Sequence, residues 1–465
     1  MKLYNDLNRK KEDFVPVDPE LVRIYSCGPT VYDFFHVGNA RPFIIFDTLR
    51  RYLIYRGYKV KFVQNFTDID DKIIRRANEE GTTSAELSER FIKEYYTDAK
   101  GLGIHKADVH PKATEVVPEI IEMIETLIEK GHAYASVGDV YYRTLSFPEY
   151  GKLSHQPIDD LMSGARVDVS EIKENPLDFA LWKAAKPGEP AWESPWGPGR
   201  PGWHIECSAM AKKFLGDTID IHGGGQDLIF PHHENEIAQS EGANGSEFAR
   251  YWVHNGYLNI DNQKMSKSLG NFFTVRDASA AYGYDTIRFF MLSSHYRSQI
   301  NYSRETLSQA KAGLERLKNC RANLVFLLDK SGEGGLCENE KAVMEKLEGC
   351  KADFIDAMDD DLNTADAISA IFEMARLLNA ATMESPTKAF VESGLALFDE
   401  LTGVLGILGE DAEDEDAAEI EALIAERQAA RKAKDFAKSD AIRDKLTAMG
   451  ILLEDTPQGP KWRRA

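Results

Sequence analysis

The first 65 residues contain a strand, a helix and a second strand in succession. An apolar run covers residues 22–25, a helical pattern that includes Pro42 covers 41–56, and a second apolar run covers 58–63. Such a βαβ unit is the building block of a parallel sheet. The sequence therefore predicts an α/β fold that begins with a parallel sheet.

The segments that follow indicate several domains, because 465 residues are too many for one core. Residues 107–201 are rich in Pro, Gly and Trp and show no long period, so we expect an insertion that divides the sheet domain into 1–106 and 202–260. Helical spacing of apolar residues between 303 and 408 predicts a helical bundle. The other expected segments are a lysine-containing loop region at 261–302, an acidic linker at 409–418 and a small C-terminal module at 419–465.

Composition favours a soluble cytoplasmic protein. No apolar run is long enough to cross a bilayer, and the N-terminus lacks the apolar core of a signal peptide. The five cysteines are odd in number and widely scattered, which favours a reducing compartment over a disulfide framework.

Charge is segregated along the chain, although the net charge of −20 is unusual for a protein that binds nucleic acid. Residues 410–421 hold eight acidic and no basic residues, whereas 427–465 hold ten Lys or Arg against five Asp or Glu. A C-terminal module that binds a polyanion therefore remains possible, and a merely solvated charged helix is the alternative.

Four side chains of metal-ligating type occur in three distant segments. Cys27 ends the first predicted strand, and Cys207 lies far along the chain. His232 and Glu236 are four residues apart, on one face of a helix that Pro231 would start. Two thiolates, an imidazole and a carboxylate suit Zn²⁺. The alternative is that both cysteines are small buried hydrophobic residues.

Three further motifs suit a nucleotide. The loop 264–268, Lys-Met-Ser-Lys-Ser, carries Lys264 and Lys267 and could meet developing negative charge on a triphosphate, or be a solvated basic turn. His36 and Asn39 lie near a helix N-terminus, where N–H groups favour phosphate. The third motif is a glycine-rich turn after a strand, which allows close backbone approach and offers a carboxylate to a ribose; its candidate residues are Gly224, Gly225 and Asp227.

These motifs, in this order, resemble the cysteinyl-tRNA synthetase family. Segments 36–39 and 264–268 are similar to the HIGH and KMSKS elements of class I aminoacyl-tRNA synthetases, while 27–33, 203–207 and 231–236 resemble the cysteine-specific members. The resemblance implies a Rossmann-type parallel-sheet catalytic domain with an inserted connective domain, followed by an α-helical bundle and a small C-terminal anticodon-binding module.

The resemblance also implies a cysteine site built on one zinc ion per chain. The implied ligands are Cys27, Cys207, His232 and Glu236, surrounded by His36, His204, His222 and His233. The implied contacts to the substrate cysteine are Gly28, Thr67 and Trp203. Zinc that binds a thiolate strongly and an alcohol weakly would separate cysteine from serine, which a pocket based on shape does poorly.

For ATP, the resemblance implies binding together with Mg²⁺. The implied ATP contacts are His36, Asn39, Gly224, Gly225, Asp227, Lys264 and Lys267, of which His36, Asn39, Lys264 and Lys267 are the implied catalytic residues. The family has a second histidine where this chain has Asn39, which can donate a hydrogen bond but carries no charge.

For tRNA(Cys), the resemblance implies an anticodon-reading module. The implied contacts are Arg431, Asp440, Asp455 and Trp462, with Asp suited to base edges and aromatic groups to stacking. No obligate protein partner is indicated. Two alternatives are an ATP-dependent cysteine ligase of mycothiol synthesis, which would lack the basic C-terminal module, and a catalytically silent regulator that binds zinc and RNA.

Overall fold

The computed structural model describes residues 1–157, 172–261, 263–264, 273–383, 385–408, 417–456 and 459–464. The chain forms two compact units. The first comprises Met1–Arg316, Gly349–Glu373 and Glu400–Ile407, and the second comprises Leu317–Glu348, Met374–Asp399 and Leu408–Ala465.

The N-terminal part begins with an antiparallel hairpin and continues as the predicted βαβ unit. Its elements are β1 (Lys2–Asn5), β2 (Lys10–Asp13), β3 (Val22–Ser26), α1 (Val37–Tyr55), β4 (Val60–Gln64), α2 (Asp71–Glu80) and α3 (Ser84–Gly101). Helix α1 begins four residues earlier than predicted, because the side chain of His36 caps it by accepting a hydrogen bond from the N–H of Asn39. Pro42 consequently lies inside the helix instead of opening it.

The following segment, predicted to be an insertion, contains a helix and an antiparallel sheet. Its elements are α4 (Val117–Glu129), β5 (Ala133–Ser136), β6 (Asp139–Tyr142), β7 (Phe179–Ala184) and β8 (Gly199–Pro201). The four strands pair in chain order, and each pair is antiparallel.

The chain then returns to the parallel sheet and continues into a separate three-stranded sheet. The elements are α5 (Trp203–Leu215), β9 (Ile219–Gly225), α6 (Glu234–Asn244), β10 (Ala249–Asn255), β11 (Leu258–Ile260), β12 (Gln263–Lys264), α7 (Val275–Tyr282), α8 (Tyr284–Leu292) and β13 (Ile300–Tyr302). The sheet has the order β10-β9-β3-β4, and all its pairs are parallel. The predicted Rossmann-type parallel sheet is therefore confirmed.

The order of the strands identifies one crevice in this sheet. From β3 the chain moves to β4 on one side, and the later strands β9 and β10 lie on the other side. Strands β3 and β9 therefore flank the topological switch point, where open α/β sheets bind ligands beyond the carboxyl ends of their strands. Cys27 and Asn65 directly follow β3 and β4, so both lie at the carboxyl ends of the strands.

The helical pattern predicted between 303 and 408 is confirmed in the described part of that segment. The helices are α9 (Arg304–Leu327), α10 (Glu338–Asp359), α11 (Thr364–Ala381) and α12 (Lys388–Leu405). Each of these helices begins in one compact unit and ends in the other.

The C-terminal module consists of two helices and a hairpin. The elements are α13 (Ala417–Lys432), α14 (Phe436–Ala448), β14 (Ile451–Thr456) and β15 (Gly459–Arg464). Its small core comprises Ile420, Ile424, Ile442, Leu446 and Ile451. The Gly450-led strand predicted from the sequence is present as β14, which pairs in antiparallel fashion with β15.

None of the helices in the described part of the chain is both long and apolar enough to cross a bilayer.

Candidate active site

Four buried side chains of metal-ligating type meet at the switch point. Cys27 follows β3, Cys207 lies on α5, Glu236 lies on α6, and His232 lies in the π-helical turn Ile229–His233 before α6. The helix predicted to start at Pro231 therefore begins at Glu234. His232 and Glu236 nevertheless meet, with 2.9 Å between Nε2 and Oε1.

The spacing of these ligand atoms fits a zinc ion. All four lie within 4.8 Å of one another. The Sγ atoms of Cys27 and Cys207 are 3.9 Å apart, and Sγ of Cys27 is 3.6 Å from Oε1 of Glu236. A tetrahedral zinc site with Zn–S bonds of about 2.3 Å places two sulfurs about 3.8 Å apart. The donor set and the spacing of its sulfurs therefore fit a zinc ion.

Mutual interactions give two of the four ligands the charge that a metal ligand needs. A hydrogen bond from Cys27 lowers the pKa of Cys207 to about 6 although burial opposes it. Burial would raise the pKa of Glu236, but His222 and His232 outweigh it and lower the pKa to about 2. A thiolate at Cys207 and a carboxylate at Glu236 are thus favoured near neutral pH. Burial, in contrast, raises the pKa of Cys27. Burial would lower the pKa of His232, but Glu236 and Cys207 raise it to about 10, so a metal would displace protons from Cys27 and His232.

A second set of four ligand atoms overlaps the first. It replaces Cys207 and His232 by His222 and His233, and keeps Cys27 and Glu236. Nε2 of His222 lies 2.8 Å from Oε2 of Glu236, and Nε2 of His233 lies 3.3 Å from Sγ of Cys27. The first set has two sulfurs and the second has one, so the first suits zinc better.

Three groups that sequence reasoning missed hold these histidines in place. Nδ1 of His222 donates to the carbonyl of Tyr25 at 2.8 Å. Nδ1 of His233 lies 2.7 Å from Nε2 of His254, whose Nδ1 lies 2.8 Å from Asp6. A neutral His254 that donates to Asp6 accepts from His233, which leaves Nε2 of His233 without a proton and facing the Cys27 sulfur. Such outer hydrogen bonds fix tautomers around metal ligands.

His204 and Trp203 cover His232. Nδ1 of His204 lies 2.8 Å from Nδ1 of His232, and the Trp203 ring stacks on the His232 ring with 4.4 Å between centroids. Trp203 is 41% exposed, so its ring forms an accessible wall beside the ligand cluster.

The two other predicted cysteine contacts, Gly28 and Thr67, lie next to this cluster. The N–H of Gly28 donates to Oδ1 of Asn65 at 2.9 Å, and the Thr67 hydroxyl donates to Oε2 of Glu206 at 3.0 Å. A Cβ at position 28 would stand 1.7 Å from the carbonyl oxygen of Asn65, so only glycine fits. Asn65 and Glu206 were not predicted as site residues, although Asn65 directly follows a strand and Glu206 directly precedes Cys207.

The predicted phosphate-binding residues surround the N-terminus of α1. Nδ1 of His36 accepts from the N–H of Asn39 at 3.2 Å, so in a neutral His36 the proton, and with it the donor, is on Nε2. The N–H of Val37 donates to the carbonyl of Phe273 at 3.2 Å. The segment that follows the lysine loop is therefore anchored beside α1.

Of the lysine loop itself, the structure describes only the backbone of Lys264, in β12. Lys267 lies outside the described residues. The glycine-rich turn ends β9, with Gly224 and Gly225 buried and Asp227 exposed in the turn after the strand. A Cβ at Gly224 would stand 2.9 Å from Leu228, so this backbone packs closely.

The predicted anticodon contacts are spread over the C-terminal module. Arg431 is an exposed residue of α13, and Asp440 is an exposed residue of α14. Asp455 and Trp462 belong to the hairpin β14–β15, where Leu453 pairs with Trp462; their side chains lie outside the described part of the chain.

Comparisons with known proteins cover the whole chain. Residues 13–312 match the tRNA synthetases class I (C) catalytic domain, residues 353–409 match the DALR domain, and residues 414–463 match the cysteinyl-tRNA ligase anticodon binding domain.

Two curated relatives are similar over their full length. The chain is 58% identical to a cysteine–tRNA ligase of Symbiobacterium thermophilum and 57% identical to one of Clostridioides difficile, and each match covers 100% of both chains.

Solved structures share the fold at low sequence identity. The Mycobacterium tuberculosis methionyl-tRNA synthetase in complex with methionyl-adenylate is 17% identical, with a TM-score of 0.62 over 87% of this chain and 94% of that chain. A LeuRS of Agrobacterium radiobacter K84, in a ternary complex with tRNA and LeuAMS, is 12% identical with a TM-score of 0.60 over 86% of each chain.

Proposed function

We propose how this chain, which belongs to the class I cysteine–tRNA ligases, divides the family's reaction among its own residues. The family uses ATP to join cysteine to tRNA. The observation that carries the proposal is the buried cluster of two cysteines, one histidine and one glutamate at the switch point. A cluster with two sulfurs suits an enzyme whose substrate is a thiol.

Cys27, Cys207, His232 and Glu236 hold one zinc ion in this proposal. The bound ion supplies a ligand position that a thiolate fills strongly and an alcohol weakly, so that cysteine is selected over serine. The chain's own groups then fix the rest of the substrate. Trp203 covers its side, and Gly28 and Thr67 contact its backbone.

Adenylate formation takes place beside the N-terminus of α1. His36 donates from Nε2 to phosphate, and Asn39 adds a neutral donor in the same turn. Gly224, Gly225 and Asp227 bind the adenosine, and ATP enters with Mg²⁺. Lys264 and Lys267 stabilise the charge that develops as the cysteine carboxylate attacks the α-phosphate, a reaction in which positioning and charge stabilisation suffice.

The C-terminal module reads the anticodon of tRNA(Cys) through Arg431, Asp440, Asp455 and Trp462. The match of residues 414–463 to an anticodon binding domain supports this role and disfavours the cysteine ligase of mycothiol synthesis. The full-length similarity to cysteine–tRNA ligases favours an active ligase over a silent zinc and RNA-binding regulator. Catalytic turnover separates the two.

The deciding experiment combines aminoacylation of purified tRNA(Cys) with metal analysis of the same preparation. We expect one zinc per chain, ATP–pyrophosphate exchange that depends on cysteine, and charging of tRNA(Cys). A silent regulator would hold zinc without exchange. A fully active protein that contains no zinc would contradict the proposed cysteine site.

A further inference from the structure

The hydroxyl of Thr67 has almost all its hydrogen-bonding capacity in use inside the protein. Its hydrogen goes to Oε2 of Glu206 at 3.0 Å, and Nδ2 of Asn65 lies 3.4 Å from its oxygen. A threonine hydroxyl has one hydrogen and two lone pairs. What Thr67 can still offer a ligand is therefore a lone pair, which is an acceptor.

The backbone N–H of Gly28 sets the direction of these bonds. The N–H of Gly28 needs an acceptor, so it is Oδ1 of Asn65 that faces it, at 2.9 Å. The amide nitrogen of Asn65 is then directed to Thr67. At the other end, Oε2 of Glu206 accepts the hydrogen of Thr67, and it remains an acceptor when the other carboxyl oxygen carries a proton.

The acceptor lies close to the ligand cluster. Oδ1 of Asn65 is 3.9 Å from Sγ of Cys207, and Thr67 is the next member of the same network. Glu206 itself is 1% exposed and stands beside Cys207 in the first turns of α5. A ligand with a thiol at the cluster would therefore carry its next polar group within reach of Thr67.

We propose that Glu206 is a positioning residue for the α-ammonium group of the substrate. By holding the hydrogen of the Thr67 hydroxyl, Glu206 leaves Thr67 only an acceptor for the pocket. An ammonium group has only donors and therefore binds to this lone pair of Thr67, whereas a group with only acceptors does not. The inference rests on the proposed function, in which Thr67 contacts the substrate cysteine.

The test compares Glu206→Met with Glu206→Gln in full-length protein. Methionine offers no comparable acceptor, so the Thr67 hydroxyl can turn its hydrogen towards the ammonium group. We expect the KM for cysteine in ATP–pyrophosphate exchange to rise by about 10- to 100-fold, as for loss of one hydrogen bond to a charged group, with the KM for ATP unchanged. Glutamine keeps an acceptor oxygen and should stay within about threefold of the unsubstituted protein.

A second ligand separates this role from a purely structural one. 3-Mercaptopropionate has the thiol and the carboxylate but no amino group, so its inhibition constant should be the same for both variants and the unsubstituted protein. The zinc content should also be unchanged. If Glu206→Met does not fold, Thr67→Val removes the acceptor directly and should show the same selective loss for cysteine.

Three results would overturn the inference. They are an unchanged KM for cysteine in Glu206→Met, an equal loss of 3-mercaptopropionate binding, and a Glu206→Gln variant as impaired as Glu206→Met. These results leave the proposed function intact as long as the unsubstituted protein catalyses exchange. Absence of cysteine-dependent exchange in the unsubstituted protein would refute the proposed function, and the inference with it.

Discussion

Replacing His232 or His233 by Asn tests which of the two overlapping ligand sets binds zinc. His232 belongs to the set with two sulfurs, and its Nε2 lies 2.9 Å from Oε1 of Glu236; for His233 the corresponding distance is 3.9 Å. Removing an outer residue of a metal site costs about 10- to 100-fold in affinity. We therefore expect His233→Asn to lose about that much, and His232→Asn, which removes a ligand, to lose more than about 100-fold.

Zinc affinity is measured by competition with a chromophoric chelator, which requires no catalytic turnover. His155→Asn is a matched control, because His155 is exposed and belongs to neither ligand set. It should bind zinc as the unsubstituted protein does. A larger loss in His233→Asn than in His232→Asn would refute the assignment and favour the set that contains His222 and His233.

The other predictions concern stability, adenylation and tRNA charging. Arg288 and Asp47 form a buried ion pair at 2.7 Å, so Arg288→Met should lower the free energy of unfolding of the first unit by about 3–5 kcal/mol in denaturant titration, and an unchanged midpoint would contradict this. Burial would raise the pKa of Asp47, but Arg288 and a second arginine lower it. The stabilisation of the folded protein by the ionised Asp47 is therefore fully present above the unfolded pKa of about 3.9, and it is lost as pH falls through the lower folded pKa. Lys267→Ala should reduce the exchange kcat by on the order of 10²-fold, whereas a rise in the KM for ATP alone would refute its transition-state role. Removing residues 419–465 should leave ATP–pyrophosphate exchange unchanged and slow tRNA charging. Asp455→Ala should reduce discrimination among tRNAs with altered anticodons by about 1–3 kcal/mol. Equal discrimination by the Asp455→Ala variant and the unsubstituted protein would contradict this role.

The sequence predicted the parallel sheet and a residue of metal-ligating type at the carboxyl end of one of its strands. Cys27 follows a strand, and the carboxyl ends of parallel strands lie together, so a ligand-binding site at this position can be inferred from the sequence alone. The exact start of α1 could not be inferred, because a proline favours the first turn of a helix in general. In this chain the side chain of His36 caps the helix, and Pro42 lies within it.

The hydrogen-bond partners of the site residues could not be predicted from the sequence, because they lie far away along the chain. Asp6 reaches His254 because the N-terminal hairpin packs beside β10, 248 residues away along the chain. Nothing in the local pattern of either segment indicates this pairing. Glu206 is similar: its neighbour Cys207 was identified by its chemistry, but the partner of Glu206 is Thr67, 139 residues away.

The place of the insertion in the chain explains how the sheet can accommodate it. Strand β4 forms one edge of the sheet, whereas β9 lies on the far side of β3, so the chain must cross the sheet between residues 64 and 219. A crossover connection can gain residues without changing which strands are neighbours, and loop-closure entropy rises only slowly with length. The antiparallel sheet β5–β8 lies within this crossover. The neighbours β3 and β9, and with them the position of Cys27 opposite β9, are thus independent of the length of the insertion.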